Sequence, residues 1–112
     1  MRTTRGRKLP PVIQDINRSL QRIYGKRLKK IILFGSHARG QATSESDVDL
    51  LIVLDQLSSL RQEVEKLVPV VARLNLKYGV LASCLPVSVS AYEDARCPLF
   101  VNIQREGVVV HG

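Results

Sequence analysis

The sequence contains no tryptophan, and its aromatic residues are three tyrosines and two phenylalanines among 112 residues. Valine, leucine and isoleucine must therefore supply most of the buried surface. Apolar residues make up 45% of the chain and charged residues 24%, as is ordinary for a folded domain. This length predicts a single domain over residues 1–112, with residues 1–8 expected to form a flexible basic tail.

Three other absences each exclude a class of protein or site. No apolar run approaches the roughly 18 residues that a membrane-spanning helix needs. The basic N-terminus has no apolar segment behind it, so it does not resemble a secretory signal. The two cysteines, Cys84 and Cys97, form no CxxC or CxxH pair that would indicate a zinc site. We therefore expect a cytoplasmic protein with no membrane partner.

The positive charge is unevenly distributed along the chain. Residues 1–40 contain eleven Lys and Arg against one acidic residue, whereas residues 41–112 contain six against nine, which gives the formal net charge of +7. A basic N-terminal part of this kind suits a polyanion, either nucleic acid or the phosphates of a nucleotide. The alternative is a solvated basic surface that only aids solubility.

The apolar pattern predicts helices alternating with strands. Pro10 and Pro11 introduce a helix that Gly25 ends. Strands follow at about 30–34 and 48–54, and the second is apolar on both faces, as in a central, covered strand.

The second half of the chain continues this alternation. A long helix is expected from Ser58 or Ser59 to Gly79, with Pro69 kinking or splitting it and its apolar stripe in the core. A strand over 80–89 follows, with Pro86 at an edge or bulge. We then expect a helix opened by a Ser90–Glu93 capping pattern, a helix ending at Gly107 and a last strand over 108–110. This order predicts an α+β fold with a small mixed sheet of about four strands packed with helices.

The segment from Ile31 to Leu54 joins two apolar strands through a small-residue turn and a polar loop. Gly35 follows the first strand directly and lets a ligand approach the backbone without a Cβ in the way. Ser36 adds a hydroxyl, and the amides at the start of a helical turn favour an anion such as a phosphate.

Two acids begin the second strand. Asp47 and Asp49 are two residues apart, so both side chains lie on one face, about 6.6 Å apart along the strand. Carboxylates at this spacing can bridge one or two Mg²⁺ ions, which prefer hard oxygen ligands. The alternative is structural: Asp47 caps the turn that enters the strand, and Asp49 pairs with an arginine.

A strand, Gly35-Ser36, ten further residues and then Asp47-x-Asp49 on the next strand resemble the DNA polymerase β-like nucleotidyltransferase superfamily. The resemblance is closest to its minimal nucleotidyltransferase domains and is most specific over Ile31–Val53. It implies a nucleotidyltransferase fold, with Asp47 and Asp49 as catalytic residues that bind Mg²⁺. It also implies that Gly35, Ser36 and Arg39 bind the triphosphate of ATP or another nucleoside triphosphate.

One departure from the family pattern concerns the third acid that active members carry on a later strand. The third predicted strand, VLASCLPVSVS, has serines and no acid. Glu93 and Asp94 could substitute only if the next helix begins at the site. The alternative is therefore a catalytically degenerate module that binds nucleotide or nucleic acid without turnover.

The function implied by the resemblance is Mg²⁺-dependent transfer of a nucleoside monophosphate, AMP above all, from a nucleoside triphosphate to a hydroxyl acceptor. Minimal domains of this family are commonly antitoxins paired with an all-helical HEPN-type protein, so we expect such a partner in a toxin–antitoxin system. Nucleic acid, bound through the basic N-terminal half, is a further candidate partner.

Overall fold

A computed structural model describes residues 2–3, 10–35 and 48–112. Its strands are β1 (Arg2–Thr3), β2 (Leu28–Phe34), β3 (Val48–Leu54), β4 (Ala82–Ser88) and β5 (Val108–His111). Its helices are α1 (Pro11–Tyr24), α2 (Leu60–Tyr78), α3 (Val89–Tyr92) and α4 (Pro98–Glu106). A short 3₁₀ turn, Gly25–Arg27, joins α1 to β2.

The strands form one mixed sheet in the order β1-β5-β2-β3-β4. β2 is antiparallel to both β3 and β5, whereas β4 is parallel to β3 and β1 is parallel to β5. The predicted α+β fold is thus confirmed, with the two-residue β1 added to the four expected strands. Arg2 and Thr3 pair with Val108 and Val109, although they belong to the tail expected to be flexible. The rest of that tail lies outside the described residues.

The sheet has a hydrophobic core on each face. The core on the α1–α2 face contains alternate residues of β3 together with buried residues of both helices, among them Ile16, Leu20, Leu67 and Leu74. The core on the other face contains Ile32, Leu51, Val53, Val87, Tyr92 and Ile103. β3 is therefore covered on both faces, as its continuous apolar sequence predicts.

Helix α2 differs from its prediction in two respects. It runs as one helix through Pro69, so of the two expected alternatives, a kink or a split, the split does not occur. Its ends agree with the prediction: the N-cap is Ser59, whose side chain accepts a hydrogen bond from the Gln62 amide, and the C-cap is Gly79 in the left-handed region. The second difference concerns burial. Its apolar stripe is only partly buried, because Leu60, Val64, Val68 and Leu76 remain exposed.

Strand β4 lies at the edge of the sheet. This agrees with the prediction from Pro86, since a proline has no amide hydrogen to donate and is tolerated at an edge. The helix after it is capped differently from the expectation. Ser88, rather than Ser90, is the N-cap of α3 and accepts a hydrogen bond from the Ala91 amide. Ser90 lies inside the helix because β4 ends at Ser88 and the chain turns there at once.

The structure also describes the two cysteines and the lengths of the helices. Cys84 and Cys97 are both free thiols. Over the described ranges, no helix is both long and apolar enough to cross a membrane.

Candidate nucleotide and metal site

The structure places two of the five predicted site residues, Gly35 and Asp49, side by side. The antiparallel register of β2 and β3 pairs Phe34 with Asp49, so Gly35 leaves the end of β2 next to the start of β3. The other three, Ser36, Arg39 and Asp47, lie outside the described residues.

Two features of the structure require a glycine at position 35: its backbone conformation and the lack of room for a side chain. Its φ of 78° lies in the left-handed region, which side chains rarely adopt. A Cβ added at Gly35 would lie 2.6 Å from Oδ2 of Asp49, closer than non-bonded atoms allow. The missing side chain therefore makes room for the Asp49 carboxylate, a steric reason for glycine that the sequence motif alone does not contain.

Asp49 lies on the α3–α4 face of the sheet, because its neighbours Val48 and Leu50 point into the α1–α2 core. The side chain is half-buried. No hydrogen bond or ion pair joins it to any residue of the described ranges. A carboxylate in this position is open to a bound cation, because no described cation occupies it. The structural alternative, in which Asp49 pairs with an arginine, therefore gains no support from the described arginines.

The position beside Asp49 on the next strand belongs to Ser83. The parallel register of β3 and β4 pairs these two residues, so their side chains share a face, and Ser83 is exposed. A carboxylate at this position would reach a ligand bound to Asp49. The sequence shows that this strand lacks an acid, but only the strand register shows which serine takes that place.

Glu93 and Asp94 do not meet the condition under which they could replace the third acid. Helix α3 begins after Ser88, which pairs with Leu54. Leu54 is five residues from Asp49, or about 16 Å along β3. Asp94 is instead paired with Arg96, with 2.9 Å between Oδ2 and Nη2. Accordingly, no cluster of three or more potential metal ligands is found within the described part of the chain.

A groove of about 330 Å³ lies between α2 and β4, and it reaches the site only at Ser83, without Asp49 or Gly35 in its lining. Its lining includes Val64 and Val68 of α2 and Ala82 and Cys84 of β4. Ala82 and Cys84 alternate with Ser83, so they point to the sheet face opposite Asp49. No charged side chain lines the groove, which therefore does not suit phosphates.

Two carboxylates elsewhere in the described ranges, Asp15 and Glu63, are buried, and both are neutralised by cations. Asp15 of α1 accepts hydrogen bonds from Arg73 (3.0 Å to Nη2), Tyr78 (2.9 Å to the hydroxyl) and Lys77 (3.3 Å to Nζ), all on α2. The hydrogen bonds from Arg73 and Tyr78 are the largest influences on its pKa and hold it well below the usual range, against the opposing effect of burial. This network joins α1 to α2 and was not predicted from the sequence.

Glu63, in the first turn of α2, is the second buried carboxylate. Burial by itself would raise its pKa, but hydrogen bonds from Arg27 and Lys66 outweigh that effect and lower it. The same arginine pairs with Asp55, so it ties the end of β3 to the start of α2. Helical periodicity places Glu63 on the inner side of α2, but the distant arginine is visible only in the fold.

Comparisons with known proteins agree with this fold and motif. A family model described as a nucleotidyltransferase domain matches residues 13–106. Two proteins of Methanocaldococcus jannaschii, both named "Putative protein adenylyltransferase", are similar in sequence. One is 35% identical over 100 residues, which cover 88% of this chain and 94% of that protein. The other is 36% identical over 72 residues, covering 64% and 72% respectively.

A solved structure has a similar fold at 18% sequence identity. It is a crystal structure of a toxin–antitoxin with AMP-PNP, which superposes with a TM-score of 0.64 over 89% of this chain and 73% of its own. At that identity the likeness concerns the fold alone. The family match spans most of the chain and contains the Gly35–Asp49 pair, so this protein belongs to the nucleotidyltransferase domain family.

Proposed function

We propose that this protein is a Mg²⁺-dependent adenylyltransferase that transfers AMP from ATP to a hydroxyl group of a protein acceptor. The observation that carries the proposal is the Asp49 carboxylate, half-buried, without a partner among the described residues and packed against Gly35. A charge that no described group of the protein neutralises is suited to a bound cation.

The donor atoms fit magnesium. Carboxylate oxygens are the hard ligands that Mg²⁺ prefers, and a site with one or two carboxylates leaves room for substrate phosphates. Asp49, together with Asp47 on the same strand face, would hold the metal. When bound, Mg²⁺ would neutralise charge on the phosphates during transfer. Gly35, Ser36 and Arg39 would hold the triphosphate, and the glycine at position 35 lets the Asp49 carboxylate lie close to the backbone there.

The transfer itself needs little chemistry from side chains. The acceptor hydroxyl oxygen attacks the α-phosphorus of ATP, and the bond from that phosphorus to the bridging oxygen breaks, so pyrophosphate leaves with the electron pair. The residues of the site align the two oxygens for this displacement. Ser83 cannot accept the hydroxyl proton, so no base at that position of β4 assists the attack, and the proton leaves to water or to another base near the acceptor. We therefore expect slow turnover compared with an enzyme that has a third carboxylate.

Two observations on related proteins favour ATP and a protein acceptor. The similar M. jannaschii proteins carry the name of protein adenylyltransferases. The toxin–antitoxin with a similar fold was crystallised with AMP-PNP. On the family resemblance, we propose that the acceptor is a HEPN-type protein and that the pair is a toxin–antitoxin system in the cytoplasm.

Ser83 favours one alternative, a module that binds nucleotide without transferring it. The two functions differ in the fate of the triphosphate. An adenylyltransferase releases pyrophosphate and labels its acceptor, whereas a degenerate module binds ATP and returns it unchanged.

The test uses ATP labelled at the α-phosphate, Mg²⁺ and proteins recovered with the tagged chain from its native host. We expect label on a recovered protein and an equal amount of pyrophosphate, both abolished by Asp49→Asn. The control variant is Asp55→Asn, which removes an exposed carboxylate away from the site. Binding of ATP without label transfer would favour the degenerate module. Recovery of a labelled protein that is not of the HEPN type would refute the proposed partner.

A further inference from the structure

Five cations between residues 18 and 30 differ from most others in the described ranges. Arg27, Arg61, Lys66, Arg73, Lys77 and Arg96 are each paired with a carboxylate. In contrast, Arg18, Arg22, Lys26, Lys29 and Lys30 have no ion pair with any described residue. The segment from 16 to 30 contains no Asp or Glu. We call three of these residues, Arg18, Arg22 and Lys26, the α1 basic surface.

These cations are contiguous on the outside of the molecule. Arg18 and Arg22 are one helical turn apart on the solvent face of α1, about 6 Å along its axis, because Ile16 and Leu20 occupy the buried face. Lys26 follows in the exposed 3₁₀ turn. Lys30, at the start of β2, lies on the same face of the sheet as Ile32, which is the face away from α1, so it is not part of this surface. Close spacing of exposed like charges is unfavourable in the isolated protein and is relieved when an anion binds.

We propose that the α1 basic surface is a docking site for the phosphate backbone of a duplex nucleic acid. A duplex presents one negative charge per roughly 1.7 Å of its axis, so a row of cations about one turn apart contacts several phosphates at once. Such contacts are independent of base sequence.

Two features of the surface favour a duplex over other polyanions. A membrane surface would require an apolar face for insertion, and the apolar face of α1 is buried in the core. A single strand would require exposed aromatic rings on which its bases stack. Tyr24, the aromatic residue of this segment, is only 5% exposed.

The docking site is distinct from the nucleotide site. The 3₁₀ turn that contains Lys26 leads into Leu28, which pairs with Leu54, whereas Phe34 pairs with Asp49, so the two sites lie at opposite ends of the β2–β3 ladder, about 16 Å apart along β3. Nucleic-acid binding at the α1 basic surface therefore does not rest on the proposed function and should persist when Asp49 is replaced.

The experiment measures binding of the full chain to a labelled duplex at several salt concentrations. Wild type is compared with Arg18→Gln/Arg22→Gln and with the control Arg61→Gln/Arg96→Gln, which removes the same charge from two exposed but paired positions. We expect the logarithm of the binding constant to fall linearly with the logarithm of salt. Loss of two phosphate contacts should reduce that slope by about 2 and weaken binding about tenfold at low salt in the first variant alone.

Additional binding measurements distinguish duplexes from other ligands and the α1 basic surface from the nucleotide site. DNA and RNA duplexes of one sequence tell which duplex is preferred, and binding of either supports the proposal. Asp49→Asn should bind as wild type does. The proposal is overturned if wild type binds no duplex, if both double variants weaken binding equally, or if single strands or anionic vesicles bind more tightly than duplexes.

Discussion

Asp15 and Asp49 are both carboxylates at the edge of a hydrophobic core, yet their surroundings are opposite. Asp15 accepts hydrogen bonds from Arg73, Lys77 and Tyr78, which stabilise its charge at the junction of α1 and α2. Asp49 has no such partner in the described ranges and has a glycine where a side chain would crowd it. A carboxylate with a structural role is neutralised by neighbouring side chains, whereas one that binds a ligand lies where the ligand can neutralise it.

The largest effect should come from filling the space beside Asp49. Gly35→Ala would place a Cβ against Oδ2 and strain the backbone, so it should displace the carboxylate and lower adenylyl transfer about 100-fold. Gly79→Ala is the matched control, because Gly79 also has a positive φ but nothing within 4 Å of an added Cβ. It should cost about 1–3 kcal/mol of strain with transfer intact. Equal losses of activity in both variants would show that strain alone is responsible.

Removing the charge of Asp15, the carboxylate that the fold neutralises, should affect stability alone. Asp15→Asn removes the charge that three donors share, and we expect urea unfolding to show a loss of about 1–3 kcal/mol. ATP binding should be unchanged. Glu65→Gln, which breaks the exposed pair with Arg61, is the control and should cost at most about 0.5 kcal/mol. A stability loss no larger than that control would contradict the role given to Asp15.

Adding a carboxylate at position 83 tests whether this position faces the proposed metal site. Ser83→Asp places a second acid beside Asp49, so it should raise the affinity for Mg²⁺ about tenfold in a calorimetric titration. Ser83→Asn has the same shape without the charge and should bring no gain. If both variants behave alike, Ser83 does not face the metal.

The smallest effect is a pH dependence of stability. The pKa of Asp15 is lower in the folded protein than its ordinary value of 3.8, so folding favours the charged form. Its contribution is complete above about pH 5 and is lost as the pH falls through the ordinary value towards the folded one. The difference in unfolding free energy between wild type and Asp15→Asn should therefore narrow by about 1 kcal/mol between about pH 6 and pH 3. A constant difference would contradict this linkage.

The sequence predicted most elements because their signals are local. Pro11 and Gly25 bound α1, and continuous apolar residues identify β3 as a covered strand. Of the two alternatives expected at Pro69 of α2, a kink or a split, the split was wrong, because buried residues on both sides, Leu67 and Leu74, hold one helix against the sheet. Tertiary packing here outweighs the local preference of proline.

The site was only partly predictable for a related reason. Spacing identified Gly35 and Asp49, since the motif lies within one hairpin-like unit. The place of Ser83 depends on the register between β3 and β4, which the connecting helix sets and the sequence does not state. Apart from Ser19, one helical turn away, the partners of Asp15 are 58 to 63 positions away, so no local pattern could reveal them.

The most direct test of the open carboxylate is calorimetric binding of ATP to wild type and to Asp49→Asn, with and without Mg²⁺, alongside urea unfolding of both. We predict Mg²⁺-dependent binding by wild type, no Mg²⁺-dependent binding by the variant, and unfolding free energies within about 0.5 kcal/mol of each other. Undiminished Mg²⁺-dependent ATP binding by Asp49→Asn would contradict the account, because the nucleotide would then be held without the carboxylate that has no partner among the described residues.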